Sequence, residues 1–187
     1  MAATTHSSMY HTMYLDERVS LSPSDINTAS EVPDGSAEDG GFKQMLETRL
    51  KEKYEGRCNV NGYVRTGSVE LLQRSVATGE HGRFTGNIVY DCKFKCTVLH
   101  PTAGIRVDAI ALKVNKMGVY AVFEDAAARD ETMIRILLPR DIHLGNEEFD
   151  SIQESDKLQV SLERSKFQTN DPFIVSVGRL VSKRVIE

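Results

Sequence analysis

Three cysteines and five histidines are the residues most able to do chemistry in this chain. On a strand, Cys92, Phe94 and Cys96 face one way, and Lys93 and Lys95 face the other. A small apolar sulfur beside Phe94 is ordinary core packing. A tetrahedral zinc site needs four ligands, and only Cys58 remains to join the pair, so no metal is expected. His6, His11, His81, His100 and His143 are scattered, and three of them fall in tails or turns. Each reads as a surface residue rather than a catalytic base. There is no GxxxxGK[ST] phosphate loop, no GxGxxG, no HExxH, no GxSxG and no CxxC. The expectation is a non-catalytic protein without a cofactor. The odd, small cysteine count favours a reducing compartment over a disulfide scaffold.

The elements that hold these residues must come from an ordinary globular composition. The chain has 187 residues, 40% of them apolar and 27% charged. That suits one domain or two small ones. With no tryptophan and 7% aromatics, the core must rest mostly on Val, Ile, Leu and Met. No run approaches the roughly 20 apolar residues of a membrane helix, and no secretory signal is visible at residues 1–8. The formal net charge is −4. Split at Pro101, the two parts carry the same small acidic excess. A stand-alone nucleic-acid binder usually shows a strong basic excess. Any such contact here must use a local patch, or a partner must hold the strand nearby.

Residues 9–21 read as an extended segment entering a sheet, and Ser22-Pro23-Ser24-Asp25 as a turn. Residues 28–41 combine glycine, proline and one sign of charge, which reads as an acidic flexible loop, either a solvated insertion or an electrostatic docking tail. Phe42, Met45, Leu46, Leu50 and Tyr54 share one face of a helix, with Gly56 placed to end it. Strand-like runs follow through Val60–Val69 and Ile88–Leu99, separated by a glycine-rich loop over 75–86. His100-Pro101-Thr102-Ala103-Gly104 is the best boundary. Five strand-like runs follow: Ile105–Val114, Met117–Glu124, Met133–Leu138, Lys157–Phe167 and Phe173–Val181. An acidic connection over 141–156 separates the third from the fourth. The predicted architecture is an α+β N-terminal domain over 1–101, with one helix on an antiparallel sheet. An all-β five-stranded barrel of the OB type occupies 102–187.

Several segments, read in order, resemble the stalk subunit of multisubunit RNA polymerases. That family contains the seventh-largest subunit of eukaryotic RNA polymerase II and its archaeal counterpart. The segments are Val19-Ser20-Leu21-Ser22-Pro23, Glu55-Gly56-Arg57-Cys58, Gly62-Tyr63-Val64, Lys93 to Pro101, Gly104 with Val107-Asp108, and Asn115 to Tyr120. The resemblance covers roughly residues 10–182, nearly the whole chain. Two features depart from the family pattern: the insertion at 28–41 is longer, and the barrel is less basic. Both would suit a polymerase encoded by a large DNA virus.

The resemblance implies a non-catalytic subunit that docks on the polymerase core near the clamp and contacts emerging RNA in transcription. Its partners would be large and small core subunits, a helical stalk partner and nascent single-stranded RNA, with no membrane. It would reside inside the cell with its polymerase, in the nucleus or, if viral, in a cytoplasmic factory or virion. The docking candidates are Ser22, Pro23 and Ser24 in the first turn, and Gly79, Glu80, His81, Gly82 and Arg83 in the glycine loop. By residues alone that loop reads as a plain hairpin, and the resemblance reverses that preference. For RNA, Tyr120 is the stacking candidate, and Lys113, Lys116, Arg135, Lys166 and Arg179 are the basic candidates. A half-buried strand aromatic is the plain alternative for Tyr120. The competing function is a stand-alone OB-barrel RNA-binding protein in translation or RNA decay.

Overall fold

The computed structural model describes residues 9–31, 40–82, 85–124 and 132–184. These residues form two compact units, each with its own apolar core. One holds residues 12–55 and 64–98. The other holds 9–11, 56–63 and 99–184. The chain is therefore not cut once at 101. Backbone hydrogen bonds explain the difference. Cys58 donates its N–H to Asp171 and accepts from Asn170, both at 2.8 Å, and His100 donates to Met9 at 3.0 Å. Residues around Cys58 and Met9 are thereby tied to the C-terminal part of the chain.

A six-stranded sheet lies mostly in the smaller unit, where β1 (Tyr10–Leu21) and β6 (Ile88–Leu99) are neighbours. Short strands β3 (Gly62–Val64), β4 (Glu70–Arg74) and β5 (Thr78–Gly79) pair with β6, and β2 (Arg57–Asn59) follows β3. Along β6 the side chains alternate. Cys92, Phe94 and Cys96 are buried, while Lys93 is exposed and Lys95 only partly covered. Among the described residues this unit holds two helices, α1 (Pro23–Glu31) and α2 (Gly40–Tyr54). On α2, Leu46 and Leu50 are fully buried, flanked by the partly buried Phe42, Met45 and Tyr54. Gly56, with φ of 70°, lies just beyond its end in the left-handed region that glycine adopts freely.

Helix α1 corrects the sequence reading, which predicts a turn at 22–25, a flexible loop at 28–41 and a single helix in the domain. Ser22 is instead a helix N-cap. Its hydroxyl accepts from the Asp25 N–H at 3.3 Å, and the Asp25 carboxylate accepts from the Ser22 N–H at 3.0 Å. This is the reciprocal capping box, with Pro23 at the first helical position, where its missing N–H costs nothing. Residues 28–31 continue that helix, and 32–39 lie outside the described residues.

The larger unit contains a closed five-stranded barrel, with strands in the order β10-β11-β9-β8-β7. They are β7 (Arg106–Asn115), β8 (Gly118–Phe123), β9 (Ile134–Pro139), β10 (Lys157–Lys166) and β11 (Ile174–Arg184). All pairings are antiparallel except β9 with β11. This mixed order is consistent with an OB-type barrel. Val107, Ala109, Val119, Ala121, Ile134, Ile136, Leu158 and Val160 are among the residues that fill it. Gly118 has φ of 148°, and a Cβ there would overlap the Leu138 carbonyl on β9. Only glycine lets these two strands approach so closely.

The connection between β9 and β10 is more ordered than an acidic loop. A 3-10 turn (Arg140–His143) leads into a short helix α3 (Glu147–Asp150). Phe149 and Ile152 are buried in the barrel's cluster. His143 is buried too, contrary to its reading as a surface residue. Its Nδ1 lies 2.7 Å from the Pro139 carbonyl, and its Nε2 accepts the Leu180 N–H at 2.9 Å. Its ring stacks on Phe149 at 4.3 Å. The ring is a structural rivet with both nitrogens used.

Candidate nucleic-acid interface

Strand pairing builds two rows across the outside of the barrel. Directly paired residues project from the same face. One row is Lys113, Tyr120, Leu137, Val177 and Arg164. The next is Val122, Arg135, Val175 and Lys166. The rows are two residues apart on each strand, or about 7 Å. Between them runs a groove of about 690 Å³ whose lining includes Lys113, Tyr120, Val122, Arg135, Leu137 and Val175.

The alternation that aims Tyr120 outward is the one read from the sequence. Val119, Ala121 and Phe123 are buried, and Tyr120 stays 41% exposed. Leu112 and Val175 add further exposed apolar surface, at 56% and 49%. The groove thus has an apolar floor, one phenol ring and cations at its edges. Among the described residues no carboxylate pairs with Lys113 or Arg135. Glu124 shares Tyr120's face, but it pairs with Lys157 at 2.7 Å. The Arg135 guanidinium sits 3.8 Å from the centroid of the Phe173 ring.

The other basic candidates divide. Lys166 ends the second row, outside the groove lining. Lys116 is exposed in the β7–β8 turn, where the Asn115 side chain accepts the N–H groups of Met117 and Gly118. It does not line the groove. Arg179 projects farther along β11 and pairs with Glu163 at 3.2 Å. Arg164, which the sequence reading does not name, ends the first row and, like Lys166, lies outside the groove lining. Simple alternation after Leu158, Val160 and Leu162 sends it inward. A bulge between Leu162 and Arg164 inserts one extra residue and turns it out. A bulge between Ala111 and Lys113 does the same for Lys113.

The described docking candidates all belong to the smaller unit. A Cβ added at Gly86 would lie 3.4 Å from the Pro23 ring, so the α1 cap and the glycine loop are neighbours. Gly79, Glu80 and His81 line a shallow hollow with Arg18, Ser20, Thr78 and Val89. The Glu80 carboxylate accepts from Thr85 at 3.2 Å and from Asn87 at 3.1 Å, bracing the loop. Gly82 has φ of 78°, a turn requirement. Gly79 differs: its backbone is not left-handed, and a Cβ there would meet nothing within 4 Å. Arg83 lies outside the described residues.

The remaining reactive groups are quiet. Burial pushes the Cys58 and Cys92 thiols up to about 11 and raises Cys96 as well. Buried thiols held protonated are poor nucleophiles. Burial pushes the Glu17 carboxyl up, but hydrogen bonds from Lys53 and Tyr54 outweigh it and hold the group below its ordinary value. Tyr54, whose ring lies 5.0 Å from that of Phe94, is raised by burial and by Glu17. Among the described residues no three His, Cys, Asp or Glu side chains cluster as metal ligands. No described helix is long and apolar enough to cross a membrane. No protein-family model matches the chain, and no curated protein does.

Proposed function

We propose that this chain is a non-catalytic stalk subunit of a multisubunit DNA-directed RNA polymerase, with a barrel of the OB type that contacts emerging single-stranded RNA. The observation that carries the RNA half is the groove. An exposed Tyr120 lies in an apolar trough edged by Lys113 and Arg135. A ring in that setting can stack a base while cations take neighbouring phosphates, which is how OB barrels hold single strands without reading sequence. The chain's net charge of −4 makes unaided affinity low. A polymerase that delivers its transcript at high local concentration removes that handicap.

The polymerase half rests on the ordered resemblance from Val19 to Tyr120. It is supported by the grouping of the α1 cap with the glycine loop, a compact surface suited to docking on a core pocket. The core's large and small subunits are the partners proposed, with a helical stalk subunit as a further one. The groove alone would serve a stand-alone RNA-binding protein in translation or RNA decay equally well. Affinity purification of the tagged full chain separates the two. Co-eluting large polymerase subunits support the stalk reading. Ribosomal or decay factors in their place would overturn it.

A further inference from the structure

We propose that Arg135 is a second base-stacking platform, paired with Tyr120, rather than a phosphate anchor. This rests on the RNA reading above and adds to it a site for two successive unpaired bases. The first ground is the Phe173 contact. At 3.8 Å from the ring centroid, the guanidinium carbon sits at the contact distance of two stacked planes. An edge-on approach would hold that carbon farther away.

The second ground is the fold. Phe173 immediately precedes β11, which runs parallel to β9 with Val175 opposite Arg135. Phe173 sits in the bend one residue before that pairing begins, so the end of β11 places it beside the strand that holds Arg135. A guanidinium held flat on a ring has lost the freedom to follow a phosphate. Arg135 is itself exposed and lines the groove. Arginine planes stack bases as aromatic rings do.

The third ground is spacing. Arg135 lies opposite Val122, and Tyr120 lies opposite Leu137, so the two platforms are diagonal neighbours on adjacent strands. Their rows are about 7 Å apart, which allows each to seat its own base. Lys113, Arg164 and Lys166, without stacking partners of this kind among the described residues, are left to carry the phosphate contacts.

The test is a fluorescence anisotropy titration of the full chain with a labelled oligouridylate over a range of salt. The variants are Arg135→Ala, Arg135→Lys and Phe173→Leu, each with its thermal midpoint measured to confirm folding. A platform predicts that Arg135→Lys weakens binding as much as Arg135→Ala, by roughly 5- to 100-fold, with the salt dependence of the parent. Phe173→Leu, which keeps bulk but loses the ring, should weaken binding in the same direction. A phosphate anchor predicts the opposite: Arg135→Lys binds like the parent, and Arg135→Ala flattens the salt slope by about 0.7. That result, or parental affinity in all three variants, overturns this inference while leaving RNA binding intact. A parent chain that fails to bind the oligonucleotide at low salt overturns the RNA reading itself.

Discussion

Tyr120 and Gly118 sit two residues apart on β8 and make opposite demands on it. Tyr120 leaves the barrel, so its loss opens no core cavity. Tyr120→Ala should weaken single-stranded RNA binding by about 1–3 kcal/mol, measured by titration of the full chain at low salt. The thermal midpoint should barely move. Parental affinity in that variant would remove the ring from the site. Gly118→Ala should do the reverse. A methyl group there meets the Leu138 carbonyl on a backbone held at φ of 148°, so β8 and β9 must part. The expected cost is on the order of 2–4 kcal/mol in denaturant unfolding. The thiols add a dependence at alkaline pH. Cys58 and Cys92 are held protonated up to about 11, whereas unfolded thiols ionise near 9. A raised folded-state value contributes stability that is complete below the unfolded value and lost as pH rises toward the folded one. Unfolding free energy should therefore fall between about pH 9 and 11, and replacing both cysteines with alanine should flatten that fall.

At the level of elements, the cap of α1 shows what a local reading can miss. Ser22-Pro23-Ser24-Asp25 contains the signals of a turn and of a capped helix start alike. The choice depends on whether the Ser22 and Asp25 side chains bond back to the chain, which they do. Ser22→Ala should cost about 1 kcal/mol in stability. The Asp25 carboxyl is held below its ordinary range by the Ser22 N–H first, then by the Ser22 hydroxyl and Arg49. A depressed value contributes stability above the unfolded value, near pH 4, that is lost as pH falls through the folded one. Asp25→Asn should therefore narrow the gap in stability between neutral and strongly acidic pH. The barrel strands were legible because alternation has a fixed period. The bulges at Leu112 and Glu163 were not, because an extra residue leaves no mark in an apolar pattern. Arg164 and Lys166 both face outward because of the second bulge, and the sequence reading names only Lys166. His143 was missed because a buried imidazole is stable only where both nitrogens find partners. Those partners, Pro139 and Leu180, belong to different strands.

At the scale of the whole molecule, the groove and the glycine loop belong to different units, and their functions should fail separately. The glycine loop carries the sharper test of docking. Gly82 is explained by its own turn, with φ of 78°. Gly79 is not explained by the fold, since its backbone suits any residue and a Cβ there touches nothing. A glycine that the chain does not need for itself is suited to the close approach of another main chain. Gly79→Leu should therefore leave the thermal midpoint and RNA affinity of the full chain near their parental values. It should sharply reduce recovery of large polymerase subunits with the tagged protein. Tyr120→Ala should show the mirror pattern, with weakened RNA binding and normal recovery of the core. If Gly79→Leu recovers polymerase as well as the parent does, the glycine loop is not the docking surface. If both variants lose both properties, the two surfaces are not independent, and the division of labour proposed between the units is wrong.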